Sequence, residues 1–180
     1  IHFDNVYFGN ESGDFYCANL GGNIKWRFKA KRAITSSPII SSGVVYVGSV
    51  DGLLYALDSK SGYTLWRFRM NRASISTPCT IENYVFTGSA DNKIYCIDIH
   101  SAKEVWSFTT DNQVTGSPII HVDSLYCGSV DGSMYCLEYR TGRLRWRFNT
   151  QGAITGSPIV ANETLYFGST DHNVYAVIIQ

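Results

Sequence analysis

Apolar residues come in short runs along this chain, and a polar turn cuts every run. Between residues 31 and 70 the runs are SPII, VYVGS, LYALD and TLWRF. They are rich in Val, Ile, Tyr, Phe, Trp and Leu, which suit a pleated, half-buried surface. Ser42-Gly43, Asp51-Gly52 and Ser61-Gly62 separate them and mark turns. No window holds a sustained helical period. The pattern predicts four short antiparallel strands: A around Pro38, B around Tyr46, C around Tyr55 and D around Trp66.

The same pattern returns every forty residues. Trp26, Trp66, Trp106 and Trp146 keep that step, as do Pro38, Pro78, Pro118 and Pro158, and these are all the Trp and all the Pro of the chain. Spacing this strict marks one structural unit copied in tandem. The copy before Trp26 is partial, with Gly9 matching Gly48 and Tyr16 matching Tyr55; the last copy stops before its tryptophan. Four strands in about forty residues is the size of one propeller blade. Proline cannot donate to a ladder, which suits its place at the start of strand A, the innermost edge of a blade. Asp51-Gly52 and Asp131-Gly132 suit tight hairpins between B and C. Asn92 and His172 hold the glycine position in two copies; Asn tolerates a left-handed backbone well and His less so.

These residues carry a resemblance. Ala56-x-Asp58-x-x-Ser61-Gly62-x-x-x-Trp66 resembles the tryptophan-docking motif of quinoprotein-like, or PQQ-like repeat, propellers. Cys96-x-Asp98-x-x-Ser101-Ala102-x-x-x-Trp106 and Cys136-x-Glu138-x-x-Thr141-Gly142-x-x-x-Trp146 are degenerate copies. The resemblance implies an all-β propeller of four-stranded antiparallel blades. One domain over 1–180 is expected, with blades near 31–70, 71–110 and 111–150 and partial blades at 1–30 and 151–180. It also implies that Trp26, Trp66, Trp106 and Trp146 pack between neighbouring blades over the small residue that opens the motif, which accounts for Ala56, Cys96, Cys136 and Ala176. The partial copies supply B, C, D and A, B, C. That predicts eighteen strands, a count that does not close: either five blades with two incomplete, or part of a larger ring of about six to eight. Uncovered end blades would invite self-association.

Composition adds limits. Net charge is zero, so electrostatics predict no nucleic-acid or anionic-membrane partner. The halves differ: residues 1–90 hold nine Lys/Arg against six Asp/Glu, and residues 91–180 hold six against nine. The basic excess gathers at Lys25, Arg27, Lys29, Lys31, Arg32, Arg67, Arg69 and Arg72, and Arg27, Arg67 and Arg147 are expected to form a solvated outer stripe. No run of eighteen apolar residues spans a membrane. Cys17, Cys79, Cys96, Cys127 and Cys136 all replace apolar strand residues of other copies, so they are expected to be buried, reduced thiols. Unpaired thiols point to a reducing, cytoplasmic setting; the sequons Asn10-Glu11-Ser12 and Asn162-Glu163-Thr164 point to a periplasmic or extracellular one.

Little marks chemistry. Asp51, Asp91, Asp131 and Asp171 recur in the B–C turns of one face, where a carboxylate ring could hold a metal or a cationic partner; capping of each turn's own amides explains them more simply. Ser37, Thr77, Ser117 and Ser157 precede the prolines and are expected near the mouth of the central channel. His2, His100, His121 and His172 fall at four different points of the unit, which indicates neither a triad nor a metal cluster. No catalytic residue, metal or cofactor is expected. The resemblance implies a non-catalytic interaction scaffold or sensor module within a larger protein. Such repeats occur in outer-membrane assembly lipoproteins, beside bacterial Ser/Thr kinases and at the end of some adenylate-forming proteins, where the partner is a protein or an attached domain. Two alternatives stay open: a quinone-dependent dehydrogenase, which would hold PQQ and calcium with a catalytic Asp and often an adjacent Cys-Cys pair, absent here; and a small-ligand or sugar-binding propeller.

Overall fold

The structure, a computed structural model, describes residues 4–179. It contains eighteen strands and no helix. β1 (Asn5–Gly9), β2 (Asp14–Asn19) and β3 (Ile24–Lys29) form the first sheet; β4 (Ile39–Ser41), β5 (Val44–Gly48), β6 (Leu53–Asp58) and β7 (Thr64–Arg69) the second. The third holds β8 (Cys79–Ile81), β9 (Tyr84–Ser89), β10 (Lys93–Asp98) and β11 (Glu104–Thr109). The fourth holds β12 (Ile119–His121), β13 (Ser124–Gly128), β14 (Ser133–Glu138) and β15 (Leu144–Asn149). β16 (Ile159–Ala161), β17 (Thr164–Gly168) and β18 (Val174–Ile178) complete the fifth. Every pairing is antiparallel, strand follows strand in order, and the proline of each copy sits immediately before its short first strand. β8 lies beside both β4 and β12, so the innermost strands of successive sheets are neighbours, as in a propeller. No helix among the described residues is long and apolar enough to cross a membrane.

The two middle strands of each complete sheet read as nearly unbroken apolar runs because both of their faces are covered. The core is therefore four slabs, one between each pair of sheets. Phe15, Cys17 and Trp26 of the first sheet meet Val45, Val47, Tyr55 and Leu57 of the second. The opposite face of the second sheet, Tyr46, Leu54 and Ala56, meets Val85, Tyr95 and Ile97. Similar slabs join the third to the fourth and the fourth to the fifth. Each fully buried Leu, Ile or Phe contributes about 1.5–3 kcal/mol, so no sheet is stable without its neighbour. On the far side of the fifth sheet Ile159, Val174 and Ile178 are exposed.

The tryptophans hold the slabs at their outer rim. Trp66 faces Ala56 across β6 and β7, and Trp26, Trp106 and Trp146 face Cys17, Cys96 and Cys136 in the same way. The small residue leaves room for the ring to lean on the strand B aromatic, with Tyr46 and Trp66 centroids 5.7 Å apart. Three of the four indole N–H groups then donate into the C–D turn of the following sheet: Trp26 to the Ser59 carbonyl at 3.0 Å, Trp66 to Ile99 at 2.8 Å and Trp106 to Tyr139 at 3.0 Å. The turn comes so close that a Cβ on Gly62 would meet Cε3 of Trp26 at 2.5 Å, and Gly142 stands in the same relation to Trp106. Gly62 and Gly142 have φ of 75° and 72°. The equivalent residue of the third sheet is Ala102, held at φ 56°, a left-handed backbone that costs a non-glycine residue about 1 kcal/mol.

Two substitutions test this rim. Trp66→Ala is expected to cost about 3 kcal/mol in denaturant unfolding; a change below about 0.5 kcal/mol would remove the tryptophan from the interface. Ala102→Gly is expected to raise stability by about 0.5–1 kcal/mol as the strain is released, and a loss instead would mean that the Ala102 methyl is needed for packing.

Candidate functional site

The B–C turns of one face hold the recurring aspartates, and each of these carboxylates is drawn into structure. In Asp51, Oδ1 accepts the Leu53 amide of its own turn at 3.1 Å. Oδ2 accepts the Lys31 amide at 3.1 Å and the Tyr55 hydroxyl at 2.8 Å. Asp131 repeats all three bonds with Ser133, Asp111 and Tyr135, and Asp171 with Asn173, Gln151 and Tyr175. Asp91 keeps the Asn71 and Tyr95 bonds, while its Oδ1 is buried without a partner. Lys31, Asn71, Asp111 and Gln151 all lie in the linkers that carry the chain from one sheet into the next. The carboxylate therefore does more than cap its own turn: it fastens the incoming linker.

Those linkers bond both neighbours. Ala30 and Ile34 donate to Gly13 and Asn10 in the first sheet's B–C turn, and Ala33 accepts from Val50 in the second's. The linker residues Ile34, Ser74, Val114 and Ile154 are buried against Gly9, Gly48, Gly88 and Gly128 of the preceding sheet, where a Cβ would collide with them. The tyrosines that bond the aspartates are packed edge-on by Phe28, Phe68, Phe108 and Phe148 of the preceding sheet, with centroids 4.9, 5.6, 5.3 and 5.4 Å apart.

This setting shifts the titrations. Burial pushes the Tyr135 hydroxyl up to about 12, aided by the Asp131 carboxylate it serves; burial raises Tyr55 and Tyr95 in the same way. Burial alone would raise Asp131, but bonds from Ser133, Tyr135 and Ser129 outweigh it and hold the carboxyl below the ordinary value. The Tyr175 hydroxyl is the main cause that keeps Asp171 at about 2.

The other singled-out residues stand as follows. Thr77 donates its amide to the Ser117 hydroxyl at 2.9 Å, joining adjacent inner strands, whereas Ser37 and Ser157 are exposed. One position earlier in the chain, the buried Ser36 and Ser76 hydroxyls bond both backbone groups of Gly48 and Gly88. Ala176 pairs with Tyr166 on the exposed side of the fifth sheet and has no tryptophan across from it. The five cysteines are free, four buried and Cys79 half-buried. Desolvation raises all five thiols, Cys96 to about 12. His100 bonds Asn83 at 3.2 Å, and His121 lies on β12 and His172 in the last B–C turn; His2 lies outside the described residues. Among the described residues no three His, Cys, Asp or Glu side chains gather in a group that could hold a metal ion. Arg27, Arg67 and Arg147 are exposed, yet Arg27 and Arg147 carry ion pairs, to Asp14 at 2.7 Å and Asp111 at 2.9 Å.

Three comparisons place this geometry among known proteins. The family model described as outer membrane protein assembly factor BamB matches residues 2–177. The crystal structure of BamB from Moraxella catarrhalis is 23% identical with a TM-score of 0.88, over 99% of this chain and 56% of that one. The computationally designed Ika8 protein is 20% identical with a TM-score of 0.89, over 99% and 57%. The computationally designed Ika4 protein is 20% identical with a TM-score of 0.76, over 84% and 94%. The chain thus spans little more than half the length of the BamB structure. No curated protein matches it in sequence.

The aspartate bonds predict an acid limb. A carboxyl whose folded pKa is depressed adds stability above its unfolded value, about 4, and that stability is lost as pH falls through the folded value. Asp14, Asp58, Asp98 and Asp123 are lowered as well, chiefly by Arg27, Ser61, Ser101 and Arg145. The melting temperature is therefore expected to hold steady above about pH 5 and to fall between about pH 4 and pH 2. Tyr175→Phe is expected to start that fall at higher pH; an unchanged profile in this variant would detach Asp171 from its tyrosine.

Proposed function

The chain belongs to the family described as outer membrane protein assembly factor BamB, a family of PQQ-like β-propellers, and on that premise we propose that it is a non-catalytic interaction scaffold or sensor module, working as a single propeller domain within a larger protein. The observation that carries this reading is where the recurring polar side chains are spent. Asp51, Asp131 and Asp171 each satisfy a turn amide, a linker amide and a tyrosine hydroxyl. A group committed in this way is no general base and no free ligand. Exposed positions that change in charge from copy to copy, such as Lys31 against Asn71, Asp111 and Gln151, lie instead on linkers, turns and strand D, where a partner would meet them. The family's description as an assembly factor accords with a protein partner. The second half of a BamB-sized ring would supply further copies of the same surface.

Site-specific photo-crosslinking from the exposed Tyr63 and Val122, each about three-quarters accessible, tests the scaffold reading in the source cells. A discrete adduct with a second protein is expected, and none from either position would count against it. The enzyme reading has its own test. Adding PQQ with calcium is expected to leave the melting temperature unchanged, since a ligand raises stability only where it binds the folded state. A saturable rise would replace the scaffold with a quinoprotein.

A further inference from the structure

Basic side chains differ in whether a carboxylate lies within reach, as one does for Arg27 and Lys29, which share Asp14. On the fourth sheet Arg140, Arg143, Arg145 and Arg147 each lie within ion-pair distance of a carboxylate, Glu82, Glu138, Asp123 and Asp111. On the first three sheets Lys31, Arg32, Arg67, Arg69 and Arg72 form no ion pair among the described residues. These five lie together along two clefts, whereas Lys25, Lys60, Lys93 and Lys103, also without an ion pair among the described residues, line neither. Lys31, Arg32, Arg69 and Arg72 line one cleft of about 560 Å³ on the face of the B–C turns. Lys31 also lines a second depression of about 450 Å³, with Lys29, Arg67, Phe28, Leu65 and Trp66. The shared lysine makes the two a single track from the turn face down the flank of β7.

The acidic groups of the track do not neutralise it. Asp51 is the only carboxylate lining either cleft, and its oxygens already serve Lys31, Leu53 and Tyr55. Asp91 lies beside the first cleft and takes the Asn71 amide. Asp14 binds Lys29 at 3.1 Å, at the far end. Arg69 donates to the Asp51 backbone carbonyl at 2.9 Å, a neutral acceptor. Holding several cations together without carboxylate partners costs stability through self-repulsion, and an anionic ligand would relieve that cost.

We propose that this track docks an acidic, partly apolar segment of a partner protein, an inference that rests on the scaffold reading. Carboxylates would meet Lys31, Arg32, Arg69 and Arg72, and an apolar side chain would lie on Leu65, which is 53% exposed, beside the partly covered Phe28 and Trp66. A nucleic acid or an anionic membrane fits less well. Each is a long, uniformly negative surface, and it would also meet the half of the molecule that carries the acidic excess.

The test is fluorescence anisotropy with a short labelled peptide that alternates Glu with Leu, at low and at moderate salt. The peptide is expected to bind the intact protein and to weaken as salt rises. Arg69→Glu with Arg72→Glu is expected to weaken it by roughly tenfold or more, and to create binding of the matching Lys/Leu peptide. Lys103→Glu with Arg143→Glu, the same change of net charge elsewhere, is expected to leave affinity within about twofold. Circular dichroism checks that each variant is folded; Lys31→Glu with Arg32→Glu replaces the first pair if it is not. Equal binding by both double variants, absence of peptide binding, or tighter binding of single-stranded oligonucleotide or of phosphatidylserine vesicles would overturn the inference. A crosslinked partner insensitive to these reversals would overturn it too, while leaving the scaffold reading intact.

Discussion

The contact of one sheet's outer tryptophan with the next sheet's C–D turn sets the spacing of everything else. An indole is large enough to cover the rim of a slab, and its N–H reaches a carbonyl beyond it, as Trp26 reaches Ser59. For the turn to come that near, the residue under the ring must be very small and its backbone left-handed, which is why Gly62 and Gly142 stand where they do. The residue across from the ring must be small as well, hence Ala56 and three cysteines. Slab thickness, the choice of residue on strand C and the turn type thus follow from one interaction.

On the opposite face the same logic runs through hydrogen bonds. Aspartate, tyrosine and linker amide form a knot at each junction, and a phenylalanine from the preceding sheet presses on the tyrosine ring. Each junction is thereby closed twice, by apolar packing at the rim and by a charged hydrogen-bonded cluster at the turns. A molecule built in this manner keeps its polar recurrences for itself. Recognition is left to residues free to differ between copies, and lysines and arginines do differ: position 31 of the first linker is Lys, where its counterparts are Asn71, Asp111 and Gln151.

Strand number, strand order and sheet membership were legible because they depend on patterns inside one copy. Turn residues such as Asp51-Gly52 and apolar runs such as VYVGS need no knowledge of a neighbour. What a single copy does not show are the partners in the next copy, although the resemblance did imply that the tryptophans pack between blades. Lys31 meets Asp51 twenty residues on, and Trp26 meets Ser59 thirty-three residues on. Within a single copy Tyr55 looks like one more strand aromatic, and Gly48 like an ordinary glycine. Yet Tyr55, Tyr95, Tyr135 and Tyr175 keep the forty-residue step, always four places after an aspartate. That coincidence of two periods was the available signal. The reading of the aspartates as caps of their own turns holds for Asp51, Asp131 and Asp171; it was incomplete because the linker amide that each also serves has no side-chain signature. The unpaired state of the central cations could not be read at all, since Arg27 and Arg147 look like Arg67 in sequence and differ only in having a carboxylate within reach.

Because each linker belongs equally to the sheet it leaves and the sheet it enters, the chain has no boundary at which a sheet could be said to end. A forty-residue stretch cut at any phase, through a strand or through a turn, would carry one complete set of junction partners. Gain or loss of such a stretch joins Trp to turn, and Asp to linker, with residues of the right kind, whereas a shift of twenty would set tryptophan against the wrong turn. Length is therefore quantised in whole copies. A gene encoding such a chain could change its ring size by unequal crossing-over at any point along the repeat, and every recombinant in phase would inherit a full set of contacts.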